Sequence, residues 1–80
     1  MEENKPTDLA LFVKVRRKML RINQVELAEK AGVGLRFVRD MEQGKASLRM
    51  DKVNDVLRLF GHELGPVEMN RDKLLNNKVK

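Results

Sequence analysis

The stretch Gln24-Val25-Glu26-Leu27-Ala28-Glu29-Lys30-Ala31-Gly32-Val33-Gly34-Leu35-Arg36-Phe37-Val38-Arg39-Asp40-Met41-Glu42-Gln43-Gly44 decides the fold of this chain. Leu27, Ala28 and Ala31 share one helical face, Asn23 precedes them as an N-cap, and Gly32 stands where a left-handed residue ends a helix. A second helix is expected after Val33-Gly34, running to about Gln43 and closed by Gly44, with Val38 and Met41 inward. The small side chain of Ala28 lets the two helices cross closely, Gly32 makes the turn, and Val33 plugs the space beneath it. Val38 and Met41 then pin the second helix onto the first.

Outward from this pair, Leu9, Val13, Arg17 and Leu20, with Phe12 alongside, fall on one face of an N-terminal helix. That helix is expected to start at Pro6-Thr7 and reach about Arg21. On the other side Val53, Val56, Leu57 and Phe60 predict a helix from about Arg49, closed by Gly61, with Ser47 as a turn or N-cap residue. Glu63, Leu64, Val67 and Glu68 have the spacing of an extended segment, which Gly65-Pro66 restricts to an edge strand. The expected class is therefore all-α, four to five short helices, with a strand over 62–69 as the one β element in question. Residues 1–7 read as an N-terminal arm, 8–69 as one domain, and 70–80 as a polar tail anchored by little more than Leu74 and Leu75.

Eighty residues hold one modest core, and a charged fraction of 36% makes support from a partner an expectation. The absence of cysteine removes disulfides, thiol nucleophiles and zinc thiolates. No apolar run approaches the roughly 18 to 20 residues of a membrane span, and Met1-Glu2-Glu3-Asn4-Lys5 lacks the order of a signal peptide, so the cytoplasm is the expected location. The net charge of +5 favours polyanions. Much of it sits in one place: Lys14, Arg16, Arg17, Lys18 and Arg21 follow each other with no acid between them. These cannot all face one way, so only part of the run can touch a polyanion. His62 is alone and builds no metal site; no nucleophile or carboxylate pair marks catalysis, so neither an enzyme nor a cofactor is expected.

Two helices joined by a short Gly-centred turn have the geometry of the helix-turn-helix, which lays its second helix in the DNA major groove. A generic four-helix knot, whose Ala and Gly merely allow packing, would need fewer of these constraints. With Val38, Met41 and Glu42 inward, the outward face of that helix presents Leu35, Arg36, Arg39 and Asp40. Arg36 can fork onto a guanine edge, Leu35 can pack on a thymine methyl, and Asp40 can accept from a cytosine amine. Arg39 is as well placed for phosphate as for a base. A solvated face with local ion pairs would present the same residues. Gln24, opening its helix, is placed for a backbone phosphate.

Asn23-Gln24-Val25-Glu26-Leu27-Ala28-Glu29-Lys30-Ala31-Gly32-Val33 and Met41-Glu42-Gln43-Gly44-Lys45 resemble the lambdoid-repressor-like (XRE) helix-turn-helix regulators, over roughly Leu9 to Leu64. Residues Gly34 to Lys45, with Leu48-Arg49-Met50-Asp51-Lys52-Val53 and Phe60-Gly61, look most like the short HipB-like antitoxin regulators. The resemblance implies a lambda-repressor-like domain, phosphate contacts from Gln24 and, more loosely, from Asn23, Gln43 and Lys45, and a homodimer on double-stranded DNA. It also implies a HipA-like kinase toxin as a partner. Where the family usually opens its recognition helix with Ser or Thr, this chain has Gly34, and Leu35 stands where a polar reader is usual.

Arg17 lies on the inward stripe, where a guanidinium must be paired, and Glu42, one turn after Val38, is its natural acid. The family resemblance points to the same structural pair. The functional expectation is a sequence-specific transcriptional regulator, an autorepressor and HipB-like antitoxin, binding an inverted-repeat operator as a dimer. The dimer contact is expected from the fourth helix and the segment Gly61 to Met69. The alternative is a protein-interaction module that neutralises a HipA-like kinase with little DNA contact. A basic membrane-surface peptide is disfavoured by the short Gly-closed helices and few aromatics.

Overall fold

The computed structural model describes residues 7–68, which form four helices: α1 Asp8–Met19, α2 Gln24–Ala31, α3 Leu35–Glu42 and α4 Met50–Leu59. Residues 1–6 of the arm, Met69 and the tail 70–80 lie outside them.

Local chemistry sets the helix starts. Thr7 caps α1 by accepting from the Ala10 amide at 3.0 Å. Asn23 and Glu26 form a reciprocal capping box on α2, each side chain bonding the other's backbone N–H at 2.8 Å. Gly34 and Arg49 open α3 and α4 with no side-chain cap. Ser47 is exposed and is not the cap of α4: Arg49 holds that position, with its guanidinium on Asp51.

All four helices end the same way. A residue at the end, the cap itself in α2 and the one after the cap in the other three, turns left-handed and bonds back to the carbonyl three residues earlier, and the next residue bonds back five. After α2 the bonds are Gly32 to Glu29 and Val33 to Ala28; after α3, Gly44 to Met41 and Lys45 to Asp40; after α4, Gly61 to Arg58 and His62 to Leu57. After α1 the left-handed residue is Arg21, at φ 59°, with Arg21 bonding Lys18 and Ile22 bonding Arg17. This is why α1 stops at Met19 rather than running to Arg21, and why Leu20, expected inward, is exposed.

Val13, Leu27, Ala28, Val38, Met41, Val53, Val56 and Leu57 make the core, with Leu9, Phe12, Ala31, Val33 and Phe60 packed against it. Ala10 is also buried. Phe12 meets Phe60 edge to face at 6.3 Å and His62 at 4.8 Å, which fastens α1 to the end of α4. Beyond His62 the chain is tied back where the Leu64 amide donates to Asn54 Oδ1 at 2.8 Å. No strand forms among the described residues, and 62–68 are exposed. A strand needs a neighbour for its backbone groups, and none of the described elements offers one here.

Candidate nucleic-acid interface

Helix α3 has two faces with different chemistry. Val38, Met41 and Glu42 are buried against α1 and α2. Arg36 and Arg39 point out, and the Arg36 side chain is 88% exposed. Leu35 is half-buried, so only part of it is available to a ligand.

The inward face carries a charge, and the fold accommodates it with several hydrogen bonds. Arg17 grips Glu42 with two parallel bonds, Nε to Oε2 at 2.7 Å and Nη2 to Oε1 at 3.0 Å, and its Nη1 donates to the Ile22 carbonyl at 3.0 Å. Gln24 Nε2 adds a bond to Glu42 Oε1 at 3.0 Å. The side chains are 13% and 2% exposed, so this is a nearly buried, bidentate pair in which Oε1 accepts a second bond. Burial pushes the Glu42 carboxyl up, but the bonds from Arg17 and Gln24 outweigh it and hold the group below its ordinary value. Its bonds to Glu42 raise Arg17 still further above its ordinary value. The network joins α1, the turn after it, the start of α2 and the end of α3, and so fixes the two helix-turn-helix elements relative to each other.

On the outward side Asp40 sits between two cations, with Arg36 Nε at 3.5 Å and Lys45 Nζ at 3.6 Å. Asp40 is half-buried and links the first turn of α3 to the loop after it. Gln43 and Lys45 are exposed at that end of α3. Asn23 and Gln24 share the start of α2, where the helix dipole favours an anion. Both also carry a structural task that their positions in the sequence do not reveal: Asn23 Oδ1 is engaged as the N-cap, and one Gln24 N–H is spent on Glu42. The capping box had a signal in the Asn-x-x-Glu spacing. The Gln24 bond had none, because its partner lies 18 residues away.

The arrangement is an exposed, Arg-bearing helix held on a second helix of equal length whose N-terminus opens beside it, which defines the helix-turn-helix class of DNA-binding domain. A helix-turn-helix family model matches residues 13–65, and the chain belongs to that family. It is a family of DNA-binding transcription regulators of the XRE type and not of enzymes. A protein of Sinorhizobium fredii named "Uncharacterized HTH-type transcriptional regulator y4mF" is 45% identical over 56 residues, covering 70% of this chain and 74% of its own length. Among the described residues no His, Cys, Asp or Glu side chains gather as a metal site, and no helix is long and apolar enough to cross a membrane.

Proposed function

We propose that this chain is a sequence-specific repressor that binds an inverted-repeat operator as a homodimer, with α3 as the recognition helix. The exposed Arg36 on a helix locked by the Arg17–Glu42–Gln24 network carries the reading, because base readout needs a mobile fork on an immobile support. Arg36 is the leading base reader, with Leu35, Arg39 and Asp40 beside it. Asn23, Gln24, Gln43 and Lys45 supply phosphate contacts that set the register. The Asp40 carboxylate, shared by Arg36 and Lys45, holds both cations ready and disfavours bases that offer it only acceptors.

One recognition helix reads too few base pairs to find a genomic site, so two half-sites about one helical turn, or roughly 34 Å, apart are needed. The dimer contact runs along α4 and the segment after Gly61, where Leu64 and Val67 stand exposed. The name of the Sinorhizobium relative supports regulation of transcription. The resemblance to HipB-like proteins supports autorepression in partnership with a kinase toxin. The test is salt-dependent binding to DNA from upstream of the chain's own gene, with footprinting and sedimentation of the complex. A protected inverted repeat and a dimer on it are the expected results; a monomer at micromolar concentration, free and bound, overturns the reading.

A further inference from the structure

The outer face of α1 is not used by the DNA-binding reading and carries an uncovered apolar row. Leu11, Val15 and Met19 follow each other at i, i+4 and i+8, directly opposite the buried Val13, and are 47% to 67% exposed. They line a trough of about 440 Å³ floored by Phe12, and a second depression of about 260 Å³ continues it to Leu20. An aligned apolar row on an exposed face is the mark of a contact surface rather than of scattered surface residues.

Charge decides what fits there. Arg16 flanks the row on one side, stacked over the Phe12 ring at 5.0 Å, and Lys14 and Lys18 flank it on the other. Asp8 is the single acid at the row's N-terminal end. A second copy laid across this face by a two-fold axis at Val15 would set Lys14 against the other copy's Arg16 if parallel, and each base against itself if antiparallel. The C-terminal segment from Asn70 carries Arg71, Lys73, Lys78 and Lys80 against Asp72 and is repelled in the same way. The first six residues have only Met1 and Pro6 to offer a trough of this size. DNA phosphates would meet three apolar side chains that donate nothing to them.

We propose that the outer face of α1 docks an acidic amphipathic helix of a partner protein, its apolar stripe on Leu11, Val15 and Met19 and its carboxylates on Lys14, Arg16 and Lys18. At 12 residues α1 is about 18 Å long, room for about three turns of such a helix. This surface is independent of the α3 reading face, so regulator and partner can be bound together.

The test places a photo-crosslinking amino acid at Val15 of the full chain in its own cells and sequences the captured peptide by mass spectrometry. The expected capture is a segment of another protein with net negative charge and apolar residues at helical spacing. A synthetic copy of that segment should bind the purified protein more weakly as salt rises, and should lose roughly tenfold in affinity to the double variant Val15→Ser, Met19→Ser. The same variant keeps its DNA affinity within about twofold, since neither side chain touches DNA. A crosslink to a second copy, to the chain's own tail, to nucleic acid or to a basic segment overturns the proposal, as does the absence of any crosslink. A variant whose DNA affinity falls alongside its peptide affinity also overturns it.

Discussion

The two faces of α3 show what fixes a side chain in this molecule. On the inward face Glu42 receives three hydrogen bonds from two other helices, and neither it nor Arg17 can move without leaving a buried charge unpaired. On the outward face Arg36 has one long ion pair to Asp40 and stands almost wholly in water. Eight residues of one helix thus hold a structural half, determined by the rest of the chain, and the proposed reading half, which only a ligand can determine. On the reading proposed above, a domain this small would gain recognition by making the first half rigid enough to aim the second.

The sharpest way to break that comparison is to remove Glu42. Glu42→Ala leaves a nearly buried guanidinium without its counter-charge, which costs about 3 kcal/mol. For a domain of this size that lowers the melting temperature by more than about 10 °C in thermal unfolding. Arg17→Ala should behave similarly, while Lys14→Ala and Lys18→Ala stay near the parent. The double variant should show coupling well above the few tenths of a kcal/mol seen at independent sites. Simple additivity, or an Arg17→Ala protein that melts like the parent but loses DNA affinity, would move Arg17 to the DNA side of the comparison. Acid supplies a second readout. The folded Glu42 holds its proton less tightly than the unfolded chain does, so its contribution is complete at neutral pH and is lost as pH falls below about 4. Glu42→Gln should flatten that acid limb.

The outward face gives the next largest effect, of the opposite kind. Arg36→Ala should leave stability within about 0.5 kcal/mol of the parent and lose roughly 1 to 3 kcal/mol of binding only on operators carrying its base. Gln24 belongs to both halves, and its variant should show both signatures. Gln24→Ala should weaken binding to every sequence alike and cost about 1 to 2 kcal/mol of stability through the bond to Glu42. Titrations on matched and single-base-changed DNA beside chemical unfolding separate the two. Equal loss from Arg36→Ala on every sequence would take it off the reading face.

The smallest effects come from the helix ends, where local backbone alone is at issue. Among the described residues Arg21 is the one left-handed residue that is not glycine. Arg21→Gly relieves about 1 to 2 kcal/mol of that strain and gives part back as unfolded-state entropy, for a net gain of about 0.5 kcal/mol in unfolding experiments. At Gly34 the backbone is extended, at φ −77° and ψ 154°, and a Cβ there meets no atom within 4 Å. Gly34→Ser should therefore add the missing cap of α3 and a few tenths of a kcal/mol. A loss at either position would show that the turn is held by contacts beyond its own backbone.

Much of this molecule could be read along the chain because much of its order is local. Asn23, Gly32, Gly44 and Gly61 mark ends of helices through bonds that span five residues or fewer, and Leu27, Ala28, Val38 and Met41 announce the buried faces by their 3.6-residue spacing. That set of constraints was enough for the helix-turn-helix. The end of α1 falls two residues before the expected one because the sequence marks it with an arginine, and its left-handed turn, closed by the Ile22 N–H on the Arg17 carbonyl, shows only in the folded backbone. Ser47 failed as a cap for the converse reason, a good capping residue in a segment that does not begin a helix.

The sequence by itself determined the four helices, the turn between α2 and α3 and the candidate reading residues, since each depends on neighbours within a turn or two of helix. Tertiary structure decided which polar groups are already committed. It assigned Gln24 to Glu42 across 18 residues and Arg17 to Glu42 across 25, set Asp40 between Arg36 and Lys45, and left Leu11, Val15 and Met19 uncovered. Periodicity gives the face on which a residue lies but not what stands opposite it, because a hydrogen bond or an ion pair depends on distances of a few ångströms between segments that the chain brings together only by folding.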